Sequence, residues 1–268
     1  MQNKIFTFWE PMDTIPAYLE LCIDTWKKYL PNYEIVILNY CNLFDWIEKD
    51  TFDEILYKDF SLPKQADAIR CAILKKYGGI WLDIDTIITS NKITEILNIN
   101  SEFTLIGFHI AFIKASKNCE ILQRWFDEIN RKITNFKRLK EQYNKMSLLK
   151  KIFNRNLLKK INSWDYFGNS ILNELLECNK YKKELIDKNN SKAFPEINWA
   201  RINNKELNLK KVYREFYFKN NYSSYAINDN CGIICLHNSW TPSDIKVMNK
   251  KEFLELDNTL SKIFLKIL

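Results

Sequence analysis

Asp83 and Asp85 stand one residue apart at the end of a short apolar run, Ile80-Trp81-Leu82, that follows Gly78-Gly79. The chain has only five glycines in 268 residues, so an adjacent pair before such a run marks a helix stop and a strand start. In an extended segment residues two apart point to one side. The spacing therefore predicts that both carboxylates project together while Ile84 packs the other way. Converging carboxylates are costly unless a cation or hydrogen-bond donor neutralises them. Mg²⁺ or Mn²⁺ is the natural partner, because such hard ions take oxygen ligands and share them with substrate phosphates. A solvated turn is the plain alternative.

Other side chains could serve the same site. Asp67 and Arg70 lie three apart on a helix leading into Gly78 and share one face. They are either an ordinary ion pair or a guanidinium for phosphate and sugar oxygens beside a carboxylate for sugar hydroxyls. His237-Asn238-Ser239-Trp240 follows another apolar run, Gly232 to Leu236. A neutral imidazole there could complete a carboxylate metal shell, and Asn238, Ser239 and Trp240 could meet a diphosphate. His109, inside an apolar strand, reads as a core histidine. Trp9 and Asn39 fall at strand ends, where an indole could stack on a base and an amide could bond base or ribose. Each is equally well explained as packing or as a turn.

The elements that must position these groups alternate. Lys4 to Trp9 and Glu34 to Leu38 read as strands. Leu19, Ile23 and Trp26 recur at helical spacing between Pro16 and Pro31, and Asn42 can cap a short helix through Lys49. Pro63 opens a helix that carries Asp67, Arg70 and Ile73, with Lys75 and Lys76 in its last turn. The order predicts an α/β fold with a mostly parallel central sheet flanked by helices, whose ligands gather at the carboxyl ends of strands. A strand pair follows near Phe103 to Lys114, then a helix from Asn118 to Ile129. Arg131 to Lys160 carries eleven lysines or arginines against one acid, Glu141, with apolar residues at spacings of three or four. This basic helical insertion is either a solvated hairpin packed on the core or a segment lying on an anionic membrane leaflet. The stripe Phe253, Leu256, Leu260, Ile263, Phe264 and Ile267 reads as core packing.

Composition narrows the function classes. A formal charge of +7 favours an acidic partner such as a nucleotide or a lipid diphosphate, but no nucleic-acid motif accompanies it. Seven scattered cysteines lack zinc spacing and read as reduced thiols of a cytosolic chain. The N-terminus opens on a strand rather than a signal segment, and no stretch reaches membrane-spanning length.

Together these segments resemble a DXD-type sugar transferase, above all glycosyltransferase family 32, which includes α-mannosyltransferases and bacterial capsular polysaccharide enzymes. They are similar also to the glucosyltransferase domains of large clostridial toxins. The resemblance lies in Ile5 to Trp9, in Trp26 to Leu38, and most specifically in Gln65 to Asp85, with His237 to Trp240 as a C-terminal counterpart. It implies one GT-A, Rossmann-like domain over 1–268. Within it, 1–130 would be the nucleotide-sugar core, 131–165 the basic insertion, and 166–268 the acceptor side and closing segment. It further implies a UDP-hexose donor, Mn²⁺ or Mg²⁺, a saccharide acceptor, and retention of anomeric configuration, in capsule or lipopolysaccharide synthesis. Carried over, Asp85 is the main metal ligand, Asp83 touches metal or ribose, and His237 is a further ligand. Asp67 and Arg70 hold the sugar, Trp9 stacks on uracil, and Ser239 and Trp240 contact the diphosphate. A lipid-diphosphate-linked acceptor would bring peripheral membrane contact through 131–160, and no nucleic acid is implied. The family's Thr-Gly-Pro-like segment is missing; Tyr166-Phe167-Gly168-Asn169 is the nearest candidate. Asp-Ile-Asp-Thr also resembles the opening motif of haloacid-dehalogenase-type phosphatases, although that motif normally sits on the first strand. A non-catalytic carbohydrate-binding protein of the same fold is the third class.

Overall fold

The computed structural model describes residues 3–106, 109–147, 165–177, 184–185, 194–205, 208–221 and 232–268. The centre is a sheet of six strands: β1 (Lys4–Phe8), β2 (Glu34–Leu38), β3 (Gly79–Leu82), β5 (Phe103–Ile106), β6 (His109–Ala115) and the short β7 (Glu184–Leu185). Their spatial order is β2-β1-β3-β6-β5-β7. β1 runs parallel to both β2 and β3, which places the ends of these strands together at Trp9, Asn39 and Asp83. β6 lies antiparallel to both β3 and β5, while β5 and β7 run parallel, so the sheet is mixed, with three of its five pairings parallel. The reason is local. Only two residues separate Ile106 from His109, too few for the crossover that a parallel pairing needs. A second ribbon pairs β4 (Thr86–Ile88) with β8 (Ile233–Cys235), antiparallel.

Alternation along the central strands divides the core in two. Ile5, Ile80, Leu82 and Phe112 pack on one face with Trp26 of helix α1 (Ala17–Tyr29) and Ile263 of the C-terminal helix (Thr259–Ile267). Phe6, Trp81 and Ile113 pack on the other, against Ile69 and Ile73 of a long helix (Leu62–Tyr77) and Trp125 and Ile129 of the longest (Glu120–Lys145). In chain order these helices are α1, then α2 (Leu43–Trp46) and α3 (Ile55–Asp59), then α4 (Leu62–Tyr77), α5 (Ile93–Leu97) and α6 (Glu120–Lys145). After α6 come α7 (Asn169–Glu177), α8 (Pro195–Ile202), α9 (Leu209–Arg214), α10 (Ser243–Val247), α11 (Lys250–Leu254) and α12 (Thr259–Ile267). α4 stops where the sequence marks it. Gly78 has φ +67°, and a Cβ there would stand 2.6 Å from the Lys117 amide nitrogen, so no other residue serves this close turn.

The basic stretch begins inside α6, which runs unbroken across residue 131, so its described part is the second half of that helix. Ile133 and Phe136 are buried. Lys137 pairs with Asp53 at 2.6 Å, Lys140 with Asp59 at 2.5 Å and Arg131 with Glu128 at 2.5 Å, so these cations are matched by acids of the body. Residues 148–164 of that stretch lie outside the described residues. The C-terminal stripe packs as expected, with Phe253, Leu260, Ile263, Phe264 and Ile267 buried. Among the described residues no helix is long and apolar enough to cross a membrane.

Candidate active site

The site forms where β1, α4 and β3 end together, and Arg70 is its anchor. Its side chain is 4% exposed, held within α4 against the face of Trp81 at 5.1 Å. Nη1 donates to the Ile110 carbonyl at 2.8 Å and Nη2 to Asp83 Oδ1 at 2.6 Å, while Asp67 Oδ1 stands 3.6 Å from Nη1. Trp81 Nε1 also donates to Asp83 Oδ1, at 2.9 Å. The Asp67–Arg70 pair is therefore buried and tied to Asp83, not a surface ion pair.

Asp85 reaches the same cavity by a different device from the one its spacing suggests. Thr86 donates its backbone N–H to the Asp83 carbonyl at 3.0 Å, closing a turn over Asp83 to Thr86. The two carboxylates converge through that turn, not through strand pleating. The β4–β8 ribbon then brings the C-terminal loop alongside. Leu236 donates its N–H to the Asp85 carbonyl at 2.9 Å, and Asn238 donates its N–H to Asp85 Oδ2 at 2.7 Å. Tyr18 of α1 fixes that loop by donating to Asn238 Oδ1 at 2.5 Å.

Trp9, Asp67, Arg70, Asp83 and Asp85 line one cavity of about 180 Å³. So do Asn238 of the C-terminal motif, Asn169 of the Tyr166–Asn169 segment, His109, expected in the core, and Asp165, which the sequence does not mark. His109 opens β6 and accepts the Ala111 N–H on Nδ1 at 3.1 Å. Its place in the cavity comes from the hairpin pairing, which a single-strand reading cannot show. Asp165 and Asn169 belong to a turn gripped by α6. Trp125 Nε1 donates to the Phe167 carbonyl at 2.6 Å and Lys132 Nζ to the Tyr166 carbonyl at 2.9 Å. Gly168 lets this turn touch the site, since a Cβ there would fall 2.6 Å from Asp67 Oδ2. The segment noted as the nearest Thr-Gly-Pro counterpart thus abuts the carboxylates.

The other expected ligands sit outside the cavity. Asn39 is buried, and its Oδ1 accepts the Cys41 and Asn42 amides at 2.8 and 3.2 Å, which makes it a turn residue. The His237 ring packs on Trp240 at 4.1 Å and on Phe194 at 5.5 Å, with Nε2 3.9 Å from Glu196 Oε1. Ser239 is exposed, and Trp240 is half-buried against Tyr213.

Burial sets the electrostatics. It pushes the Asp67 carboxyl up to about 7, with Arg70 opposing and the charges of Asp83 and Asp165 adding to the rise. Burial also raises the Asp85 carboxyl well above the ordinary range, reinforced by Asp83 and partly offset by the Asn238 amide. It lowers His237 to about 4, with His109 assisting, so that imidazole is neutral at physiological pH. The cavity is thus lined by Asp67, Asp83, Asp85 and Asp165 against one guanidinium. Asp83 accepts from Arg70 and Trp81 on Oδ1 and Asp85 accepts from Asn238 on Oδ2, which leaves lone pairs on both carboxylates. Two such carboxylates lining one acidic cavity fit a hard divalent cation. Among the described residues no three His, Cys, Asp or Glu side chains form a ready-made metal cage. A cation held here would draw its remaining ligands from water and substrate phosphate, the usual habit of Mg²⁺.

Comparison with known proteins follows the same lines. A family model described as "Capsular polysaccharide synthesis protein" matches residues 1–229. Lactosylceramide 4-alpha-galactosyltransferase of Pongo pygmaeus is 31% identical over 104 residues, 36% of this chain and 46% of that protein. The Mus musculus protein of the same name is 41% identical over 58 residues, 21% of this chain and 16% of its own length. The chain therefore spans less than half the length of these curated relatives. The glycosyltransferase GlyE of Streptococcus pneumoniae TIGR4 superposes with TM-score 0.46 at 12% identity, covering 99% of this chain and 63% of that one.

Proposed function

The chain belongs to the capsular polysaccharide synthesis protein family, and from that premise we propose that it is a metal-dependent glycosyltransferase. It moves a hexose from a nucleotide-diphosphate sugar, UDP before GDP, to a saccharide acceptor with retention. The observation that carries this reading is the arrangement at the strand ends: Arg70 clamps Asp83 at 2.6 Å while Asp83 and Asp85 line one cavity with lone pairs on both carboxylates.

Asp83 and Asp85 would hold Mn²⁺ or Mg²⁺, which when bound supplies Lewis-acid stabilisation of charge on the departing diphosphate. His237 packs outside the cavity, so the cation rests on the two aspartates. Arg70 orients Asp83 through the Nη2 bond to Oδ1, and contributes positive charge beside the leaving group at no reorganisation cost. Asp67, protonated up to about pH 7, can both donate to and accept from sugar hydroxyls. Trp9 lines the cavity with an indole face suited to a uracil ring. Glycosyl transfer passes through an oxocarbenium-like state. No single cavity carboxylate stands out as a nucleophile, so the acceptor hydroxyl attacks from the face the diphosphate leaves, and the leaving phosphate takes its proton.

The phosphatase reading is not favoured: Asp83 Oδ1, in the nucleophile's position, is occupied by Arg70 and Trp81, and the motif sits on the third strand. A panel of UDP- and GDP-sugars incubated with Mn²⁺ tests the proposal. Release of nucleoside diphosphate that EDTA stops is expected. Release of inorganic phosphate instead, or release indifferent to EDTA, would refute it.

A further inference from the structure

Tyr18 is wholly buried, yet its hydroxyl ends beside the carboxylate cavity. Its ring lies in the core cluster with Phe253 of α11, 6.3 Å away between centroids, where a phenylalanine would fill the same space. The hydroxyl leaves that apolar setting and donates to Asn238 Oδ1 at 2.5 Å. Asn238 in turn donates its backbone N–H to Asp85 Oδ2 at 2.7 Å. One core hydroxyl thus stands two hydrogen bonds from a carboxylate proposed to hold the cation.

The same stripe of α1 supports the turn that carries Asp85. Trp26 Nε1 donates to the Thr86 carbonyl at 2.7 Å, and Thr25 Oγ1 accepts the Ile88 N–H at 3.0 Å. Positions 18, 22, 25 and 26 share one helical face, so this face meets both β4 and the C-terminal loop. The rest of the loop is held from α9. Tyr213 accepts the His237 N–H at 3.3 Å on its hydroxyl, which also lies 3.1 Å from Thr241 Oγ1, and Arg214 Nε donates to the Trp240 carbonyl at 2.7 Å. Tyr18 and Tyr213 therefore tie down one loop, but the Tyr18 bond falls on the residue that holds the Asp85 carboxylate.

That placement matters because Asp83 and Asp85 carry like charges in one cavity and part unless each is fixed. Arg70 and Trp81 fix Asp83, and the Asn238 N–H fixes Asp85. We propose that Tyr18 is a positioning residue for cation binding: by pinning the Asn238 side chain it aims the Asn238 N–H, and so keeps Asp85 beside Asp83. The inference rests on the transferase reading for the cation itself. It makes α1, which offers the substrate no side chain here, part of the framework of the site. Groups that orient metal-binding carboxylates from behind change metal affinity by roughly ten- to a hundredfold.

Mn²⁺ binding followed by electron paramagnetic resonance, without any sugar donor, tests it beside thermal melts. Tyr18→Phe keeps the ring, removes the hydroxyl and should weaken Mn²⁺ binding about tenfold. Asn238→Ala keeps the backbone N–H, makes the same cut from the loop side and should weaken binding by the same factor. It also reads the bond should Tyr18→Phe fail to fold. The double variant should fall no further, since both changes remove one interaction. Tyr213→Phe, which loosens the loop elsewhere, should melt earlier yet bind Mn²⁺ within twofold of wild type. Wild-type affinity in Tyr18→Phe or Asn238→Ala, additive losses in the double variant, or an equal loss in Tyr213→Phe would each overturn the positioning role. Absence of Mn²⁺ binding by wild type itself is a separate result, which would remove the transferase reading and this inference together.

Discussion

The two sides of the 237–242 loop are built on opposite principles. The carboxylate cavity is made of buried groups that fix one another: Arg70 is bound to Asp83 and Ile110, Asp85 to Asn238, and Asn238 to Tyr18. The side toward α9 presents Lys210, Lys211 and Lys219, exposed on long stems, and of its cations Arg214 is the one pinned, to the Trp240 carbonyl. Preorganised dipoles at the first suit stabilisation of developing charge, which loses its advantage if the groups must move. Solvated ammonium groups at the second keep their rotamer freedom and bring charge without fixed geometry. The contrast puts the fixed geometry that chemistry needs on one side of a single loop.

Breaking the carboxylate side should have the larger consequences. Asp85→Asn removes a proposed metal-binding carboxylate but keeps the bond from the Asn238 amide, so the fold should hold while donor turnover falls about a thousandfold, roughly 4 kcal/mol. Nucleotide release and circular dichroism together check this. Arg70→Met strips the counter-charge from Asp67 and Asp83. Leaving a buried partner uncompensated costs about 3–5 kcal/mol, which a urea melt would register as a lower midpoint. Gly168→Ala places a methyl against Asp67 and Ile110 and should cost about 1–3 kcal/mol by overpacking. It should lower turnover more than it lowers stability if the 165–169 turn positions substrate, and a KM and kcat comparison would tell.

The smallest effect lies behind the loop. Burial lifts the Glu196 carboxyl from 4.5 to about 8. Between those pH values the folded chain keeps a proton that the unfolded chain gives up, so stability falls as pH rises through the window. The slope from this group approaches ~1.4 kcal/mol per pH unit. Glu196→Gln keeps an acceptor for the Tyr217 hydroxyl, which donates to Glu196 at 3.2 Å, and should flatten the slope by that amount. An unchanged slope in pH-dependent melts would show that Glu196 is ionised in the native chain.

Local signals made the donor half of the site legible and left the other half hidden. Ile80 to Leu82, the Gly78 stop and the Asp67/Arg70 spacing are all contained within about twenty consecutive residues, so periodicity and turn chemistry locate them. Even there, the approach of Asp85 to Asp83 was assigned to pleating when a turn produces it, because Asp-Ile-Asp-Thr suits both. Asp165 carries no local mark, and nothing local brings Asn169 or His109 to the cavity. They arrive through the grip of α6 on the Phe167 and Tyr166 carbonyls and through the β5–β6 hairpin, contacts fixed only by tertiary packing. Asn39 and His237 are placed by contacts that the local sequence does not announce. Both are residue types that bind ligands, yet one serves a turn and the other an aromatic cluster.

Binding of Mn²⁺ in the presence of UDP, followed by electron paramagnetic resonance, addresses the central claim most directly. Wild type should bind one ion at this site, and Asp85→Asn, still folded, should lose that ion. Equal Mn²⁺ binding by the two proteins would contradict the assignment of the cation to Asp83 and Asp85.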